Sequence, residues 1–368
     1  MLLIQKGQPT KLPEEYHSVN NICAYIYDHL TLIVANPDYY PYLRLSSFHF
    51  PDENGGLDLP LENEHILDWL AKNEKKKELQ HFLIKHISLS VLTDLVNFIH
   101  ESLLAAQKGK ITVAYSLLRK PFTDELFLLE QLLAEPESFV ESFFYNGDPK
   151  SYDPSKRNTS EYKRKIIAEC VRKCPNFGMS SSLIYDFRYE KSCEYGINGI
   201  SNKALHIVTT DQHYKTQNQN FNFIFSTADD YKRYFKHYYF IVPILLIYTA
   251  NVVDEVISQF LPDEINDKGK IIRGMQRIVA YESLRETGGG MFAWLSKQLT
   301  FECDTCKVER ELTVDPEKFL ESGAFCCPQC GAQAIFSDEE IEIFKLFLDN
   351  LRNIDMDNSN QQVKDQAT

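Results

Sequence analysis

The sequence predicts a mainly α protein, a helical bundle domain followed by a small C-terminal ribbon organised on four cysteines. Two observations carry this. Apolar residues recur at helical spacing through most of residues 61–286, as in Leu79, Phe82, Leu83, Ile87, Val91, Leu95, Phe98 and Ile99. Cys303 and Cys306 form one C-x2-C pair, and Cys327 and Cys330 form another.

Residues 1–60 read as an N-terminal helix plus an irregular segment. Ile22, Tyr25, Ile26, His29 and Leu30 place a helix over about Pro13–Val34, and Asn36–Gly56 is then rich in Pro, Tyr and Gly. A short amphipathic helix carries Ile66, Leu67 and Leu70, and the next, long one ends at Gly109. Ile111–Ala134 is helical with Pro121 kinking or splitting it, because proline lacks the N–H and its ring meets the preceding turn. Pro136 restarts a helix, and Asn146–Pro154 reads as a loop. Ser155–Cys174 is a basic helix terminated by Pro175 and Gly178.

Short helical pieces are expected around Leu183–Tyr189 and Lys203–Val208, with a polar loop at Gln212–Asn220. Phe221, Phe223 and Phe225 alternate as one short strand would. Thr227 caps a long helix with Asp229 and Asp230 in its first turn, Pro243 bends it and Pro262 ends it. Tyr238–Val253 within it is almost uncharged but shorter than the roughly 20 residues that span a bilayer, so it reads as a buried core helix and no membrane partner is expected. Lys270–Arg285 is a further helix, and Gly288–Gly290 a hinge before the ribbon of residues 287–340. A terminal helix from Asp338 to Leu351 and a disordered tail complete residues 341–368.

The two cysteine pairs fit the C-x2-C-x15–20-C-x2-C spacing of a zinc site. Pro328 and Gly331 shape the second turn. Four thiolates at roughly 2.3 Å close a tetrahedral shell around Zn2+, which leaves no position for a reacting water and makes the ion structural. The alternatives are four unliganded thiols or two disulfides, with Cys326 as a substitute ligand. The ribbon is acidic: Lys307, Arg310 and Lys318 stand against ten Asp and Glu between Phe301 and Glu340. Phosphate contact needs Lys and Arg, so a protein contact is expected there before a nucleic-acid one.

A formal net charge of −13 disfavours indiscriminate binding to DNA or anionic membranes. Nine cysteines, an odd number with four in a metal pattern, fit a reducing, cytoplasmic setting better than a secreted disulfide scaffold. The apolar run at the N-terminus is too short for a signal peptide.

Residues 114–129, with Arg119, Asp124 and Glu125, and residues 195–206, with Tyr195, Ser201 and His206, resemble two signatures of uncharacterised bacterial helical proteins. Those are similar to abortive-infection and HEPN-like families. The resemblance covers about residues 80–260. It implies a helical bundle and, in some relatives, metal-independent RNA cleavage in phage defence or toxin systems. Such cleavage uses an arginine and a later histidine with four to six residues between them. Arg44 and His49 alone have that spacing, in the Pro- and Tyr-rich stretch; Arg233 and His237 share a late helix but sit closer together.

Arg119, Asp124, Glu125, Arg188 and His206 form a candidate polar cluster. Apolar neighbours of Arg119 and His206 suggest inward-pointing side chains. One reading is a buried charge pair and a core histidine. The other is a catalytic phosphate site, with Arg119 as anion clamp and His206 as general acid or base. Lys156–Lys173, bearing Lys163, Arg164, Lys165, Arg172 and Lys173, would supply an RNA-facing surface; the commoner role of such a run is a solvated face. The expected function is a zinc-ribbon-bearing protein-interaction or regulatory protein in bacterial defence, and the alternative a HEPN-like ribonuclease or RNA-binding protein.

Overall fold

A computed structural model describes residues 2–5, 7–44, 64–154, 159–174 and 179–263. Beyond these it describes residues 265, 273, 274, 277, 280, 284, 300–302, 305–306, 309–311, 324–327, 329–335, 337–338, 341–342 and 345. The fold is mainly helical, as expected.

The chain opens in extended form and is tied to the first helix by buried asparagines. Asn21 accepts from Ile4 N–H at 2.8 Å and donates back to its carbonyl at 3.0 Å, while Asn20 donates to the Leu2 carbonyl. These bonds satisfy backbone groups that burial would otherwise strand. Helix α1, His17–Ala35, follows a 3-10 turn at Glu14–Tyr16, and a short α2 occupies Tyr40–Leu43. Helix α3 is Ile66–Lys72 and α4 is Lys76–Gln107. Gly109, at φ +70°, makes the turn out of α4.

Pro121 splits the next helical segment without breaking it. Helix α5 is Ile111–Arg119, α6 is Leu126–Ala134, and Lys120–Glu125 between them is one π-helical turn. The wider turn lets Leu126 N–H reach the Pro121 carbonyl, and the Thr123 hydroxyl donates to the Arg119 carbonyl at 2.6 Å. Helix α7 is Pro136–Val140 and runs into a second π turn at Glu141–Asn146. The expected loop at Asn146–Pro154 contains a short helix, α8, at Pro149–Tyr152, started by Asp148 accepting from Lys150 N–H.

The basic helix is α9, Ser160–Lys173; Lys156 and Arg157 of its expected start lie outside the described residues. Helix α10 is Ser181–Tyr189. Helix α11 is Ile197–Leu205, earlier than expected from Lys203–Val208, because it starts at once after Gly196. A Cβ at Gly196 would lie 3.1 Å from the Asp186 carbonyl, so glycine lets this connection close onto α10.

Helix α12, Ala228–Ser258, is the core helix. Thr227 and Asp230 form a capping box at its start, and it continues through Pro243. From Tyr238 to Val253 it is buried on every face, packed by α1, α4, α5 and α6. The hydroxyls of its three buried tyrosines are partnered: Tyr238 with Ser102 at 2.7 Å, Tyr239 with Asn20 at 3.0 Å, Tyr248 with Glu130 at 2.5 Å. By length and composition α4 and α12 could cross a membrane, but 94% of α12's most apolar window lies inside the protein. Asp254 near its end pairs with Arg273 and Arg277, so the described part of the expected Lys270–Arg285 helix docks on it.

Four short strands follow. β1, Thr300–Glu302, pairs antiparallel with β2, Glu309–Glu311; β3, Ala324–Cys326, pairs antiparallel with β4, Gln333–Ile335. Gly288–Gly290 and residues 346–368, expected as hinge and disordered tail, lie outside the described residues.

Candidate functional site

Two places in the molecule gather chemistry. The first is where the β-hairpins bend. The Sγ atoms of Cys306, Cys327 and Cys330 all lie within 4.8 Å of one another. Cys306 and Cys327 are 3.9 Å apart, far beyond the roughly 2.05 Å of a disulfide. Cys327 closes a tight turn, its N–H donating to the Ala332 carbonyl and its carbonyl accepting from Gly331 N–H, both at 2.9 Å. Gly331 takes φ +70°, the left-handed conformation expected just after the last cysteine. Cys303, the fourth predicted ligand, lies outside the described residues. Cys326 lies on β3.

The second is a cleft of about 1180 Å3 between α10, α11, the 206–227 loop and the N-terminal half of α12. The loop is a folded unit. Thr209, Thr216 and Asn222 hydrogen-bond one another, Asn222 N–H donates to the Ile207 carbonyl, and its side chain donates to the His206 carbonyl at 2.8 Å. Within it Phe221, Phe223 and Phe225 do not form the expected strand. The chain turns at residues 222–225, and Phe223 takes φ +63°, a strained conformation for a bulky side chain. Packing holds it there: its ring lies 4.6 Å from that of Tyr234 and 6.4 Å from that of Tyr115.

Tyr115, fully buried on α5, also fixes the histidine of the cleft. Its hydroxyl donates to the Tyr234 carbonyl at 2.7 Å and lies 2.9 Å from His237 Nδ1. Nε2 is buried and has no hydrogen-bond partner among the described residues. Burial pushes His237 down to about 4, against the backbone carbonyls of residues 194–196, so the ring is neutral at neutral pH. Across the cleft the pKa of Lys203 is lowered by burial and then by Arg233. Arg233 pairs with Asp230, which the cap already engages; no carboxylate pairs with Lys203 among the described residues.

The predicted polar cluster separates. Arg119, at the end of α5, and His206, just past α11, are both exposed, in place of the expected inward orientation. Their helices pack together, but neither residue lines the cleft. Both stand at helix ends: beside Arg119, Leu118 is buried, whereas beside His206 both Leu205 and Ile207 are exposed. Asp124 is partly buried, its Oδ1 3.0 Å from the Thr123 hydroxyl oxygen. The buried charge pair exists, but its members are Arg188 and Glu130, 2.5 Å apart and fully buried. Every described cation of α9 is also engaged. Lys163 lies over Tyr189, Arg164 over Tyr185, Lys165 pairs with Glu135, Arg172 with Glu169, and Lys173 donates to the Leu133 carbonyl.

Glu125 completes the group on the π turn. Its carboxyl is buried, beside Asp94 of α4 and 3.0 Å from Lys120. Burial, with a hydrogen bond to Asp94, pushes it up to about 8. That stands above the ~4.3 of an unfolded glutamate. The folded protein therefore holds more protons between these values, and this contribution to stability is complete below the lower one and lost as pH rises through the upper. Between pH 6 and pH 9 the urea midpoint should fall in the wild type, and Glu125→Gln should flatten that fall. A variant with an unchanged slope would show that Glu125 is not its source.

Compared with known proteins, this chain matches no described family, no curated protein and no solved structure.

Proposed function

We propose that this chain is a regulatory, protein-interaction protein in which a helical domain carries a zinc ribbon closed by Cys303, Cys306, Cys327 and Cys330. The observation that carries the reading is the convergence of Cys306, Cys327 and Cys330 on two tight turns. Bonds of roughly 2.3 Å at tetrahedral angles put sulfurs roughly 3.8 Å apart, against the 3.9 Å between Cys306 and Cys327. The donor set fits a structural ion, and Cys303 would complete the shell. An acidic ribbon surface suits a basic face on a protein partner and repels a phosphate backbone. A reducing setting such as the cytoplasm suits thiols that must stay free to bind the ion. Bacterial phage defence is the setting that the family resemblance implies. Elemental analysis should find one zinc per chain, and Cys327→Ser should release both the zinc and a partner co-purified with the wild type. Full partner retention without zinc would refute the role given to the ribbon.

The second reading, a HEPN-like ribonuclease or RNA-binding protein, is favoured by one observation: Arg233 and His237 line one cleft. In this reading the exposed Arg119 and His206 act from outside that cleft. Because both are exposed, Arg119→Ala and His206→Ala should each change stability by no more than about 0.5 kcal/mol. RNA cleavage by the wild type that disappears in a stably folded His206→Ala protein would replace the first reading with the second.

A further inference from the structure

We infer that the cleft between α10, α11, the 206–227 loop and α12 is a binding site for a nucleotide, a ligand that joins a phosphate to a flat heteroaromatic base. This depends neither on the zinc ribbon nor on RNA cleavage.

Two features of the cleft ask for two different chemical groups. Lys203 and Arg233 place like charges near each other, and a bound anion would relieve their repulsion. Lys215 and Lys236 also line the cleft, so four cations stand there against the carboxylates of Glu194 and Asp230. Phosphate is an anion that Arg and Lys hold through several donors at once. Phosphate alone does not explain the rim. Tyr195, Phe221 and Phe225 are 48%, 45% and 61% exposed, and they leave apolar ring faces in water beside the cations. A cationic groove flanked by aromatic faces is the arrangement that binds the backbone and stacks the bases of single-stranded nucleic acid, and any base has a face to stack.

His237, held at Nδ1 by the Tyr115 hydroxyl, lines the cleft beside these groups as a neutral ring. The volume exceeds the roughly 300–1,000 Å3 of pockets that take one drug-sized ligand, so more than one nucleotide unit fits. Phe223, held at φ +63° between Tyr234 and Tyr115, gives the cleft a fixed wall.

The full-length protein should bind a fluorescein-labelled ten-nucleotide single-stranded RNA, read by anisotropy, with AMP and ADP as competitors. Lys203→Ala and Arg233→Ala should weaken binding and each lower the slope of log Kd against log salt by about one. Phe225→Ala should weaken it about tenfold, within the range for one stacked base. Lys165→Ala, whose ammonium pairs with Glu135 away from the cleft, should bind as the wild type does. Displacement by millimolar AMP or ADP identifies a small nucleotide as the ligand; binding of the oligonucleotide that neither displaces identifies a nucleic acid strand. Each result supports the site. Absence of binding to all three probes overturns it. So does binding that Lys203→Ala, Arg233→Ala and Phe225→Ala leave unchanged, or displacement by an acidic aromatic peptide with no response to nucleotides.

Discussion

Replacing Arg188 by alanine lowers the unfolding free energy by about 3–5 kcal/mol, the cost of stranding a buried charge. Arg188 is fully buried on α10, where burial opposes its charge and the carboxylate of Glu130 more than restores it. Its guanidinium donates to the Phe122 carbonyl at 2.7 Å, to Glu130 at 2.5 Å and to the Tyr189 hydroxyl at 2.9 Å. One side chain therefore joins α10 to the π turn and to α6. Alanine leaves Glu130 in the core with the Tyr248 hydroxyl donating to it, and removes the Arg188 donor from the Phe122 carbonyl. Glu130→Leu combined with Arg188→Met removes both charges at nearly constant volume. That double variant should unfold less readily than Arg188→Ala, because no charge is left stranded. Urea denaturation of the three proteins decides the matter. A loss below about 1 kcal/mol for Arg188→Ala would mean that water or a rearranged side chain compensates Glu130.

The helices were legible because their signals are local. Thr227 and Asp230 announce the start of α12 within four residues, and apolar periodicity marks α4 along its length. The partner of Arg188 was not legible from local patterning. Glu130 sits inside the apolar run Leu126–Leu133, where a lone carboxylate is a signal that something positive must meet it, but nothing nearby in sequence names that group. The cleft was missed for the same reason. Lys203, Phe223 and His237 come from a helix, a loop and another helix, and only tertiary packing brings them together. One sign was present: Arg233, Lys236 and His237 repeat at three and four residues, a polar stripe opening an otherwise apolar helix. The alternating phenylalanines misled because period two also fits a turn whose rings pack on a neighbouring helix. Arg119 and His206 misled because apolar neighbours in sequence do not fix the direction of a side chain at a helix end.

Cys327→Ser should remove the zinc and unfold the β-hairpins while the helical signal persists. Under the zinc reading, the ion takes the place of a core. β1 to β4 are three residues each, and isolated hairpins of that size are marginal in water at best. Structural zinc supplies on the order of 10–16 kcal/mol in small zinc-binding peptides, so the loss should be all-or-none for this region. Cys327 is the most informative position. It is 5% exposed, 3.9 Å from Cys306 through sulfur, and its backbone makes both hydrogen bonds of the turn. Serine preserves the turn and removes the soft ligand, which separates loss of metal from loss of the loop. Proteolysis should then cut between residues 300 and 335 in the variant and in chelated wild type, and leave α1 to α12 intact. Cys326→Ser should keep the zinc, since the C-x2-C register belongs to Cys327. Zinc retained by Cys327→Ser but lost from Cys326→Ser would move the ligand by one residue. Neither variant losing metal, with a protease-resistant ribbon in chelator, would show that these hairpins hold together without an ion.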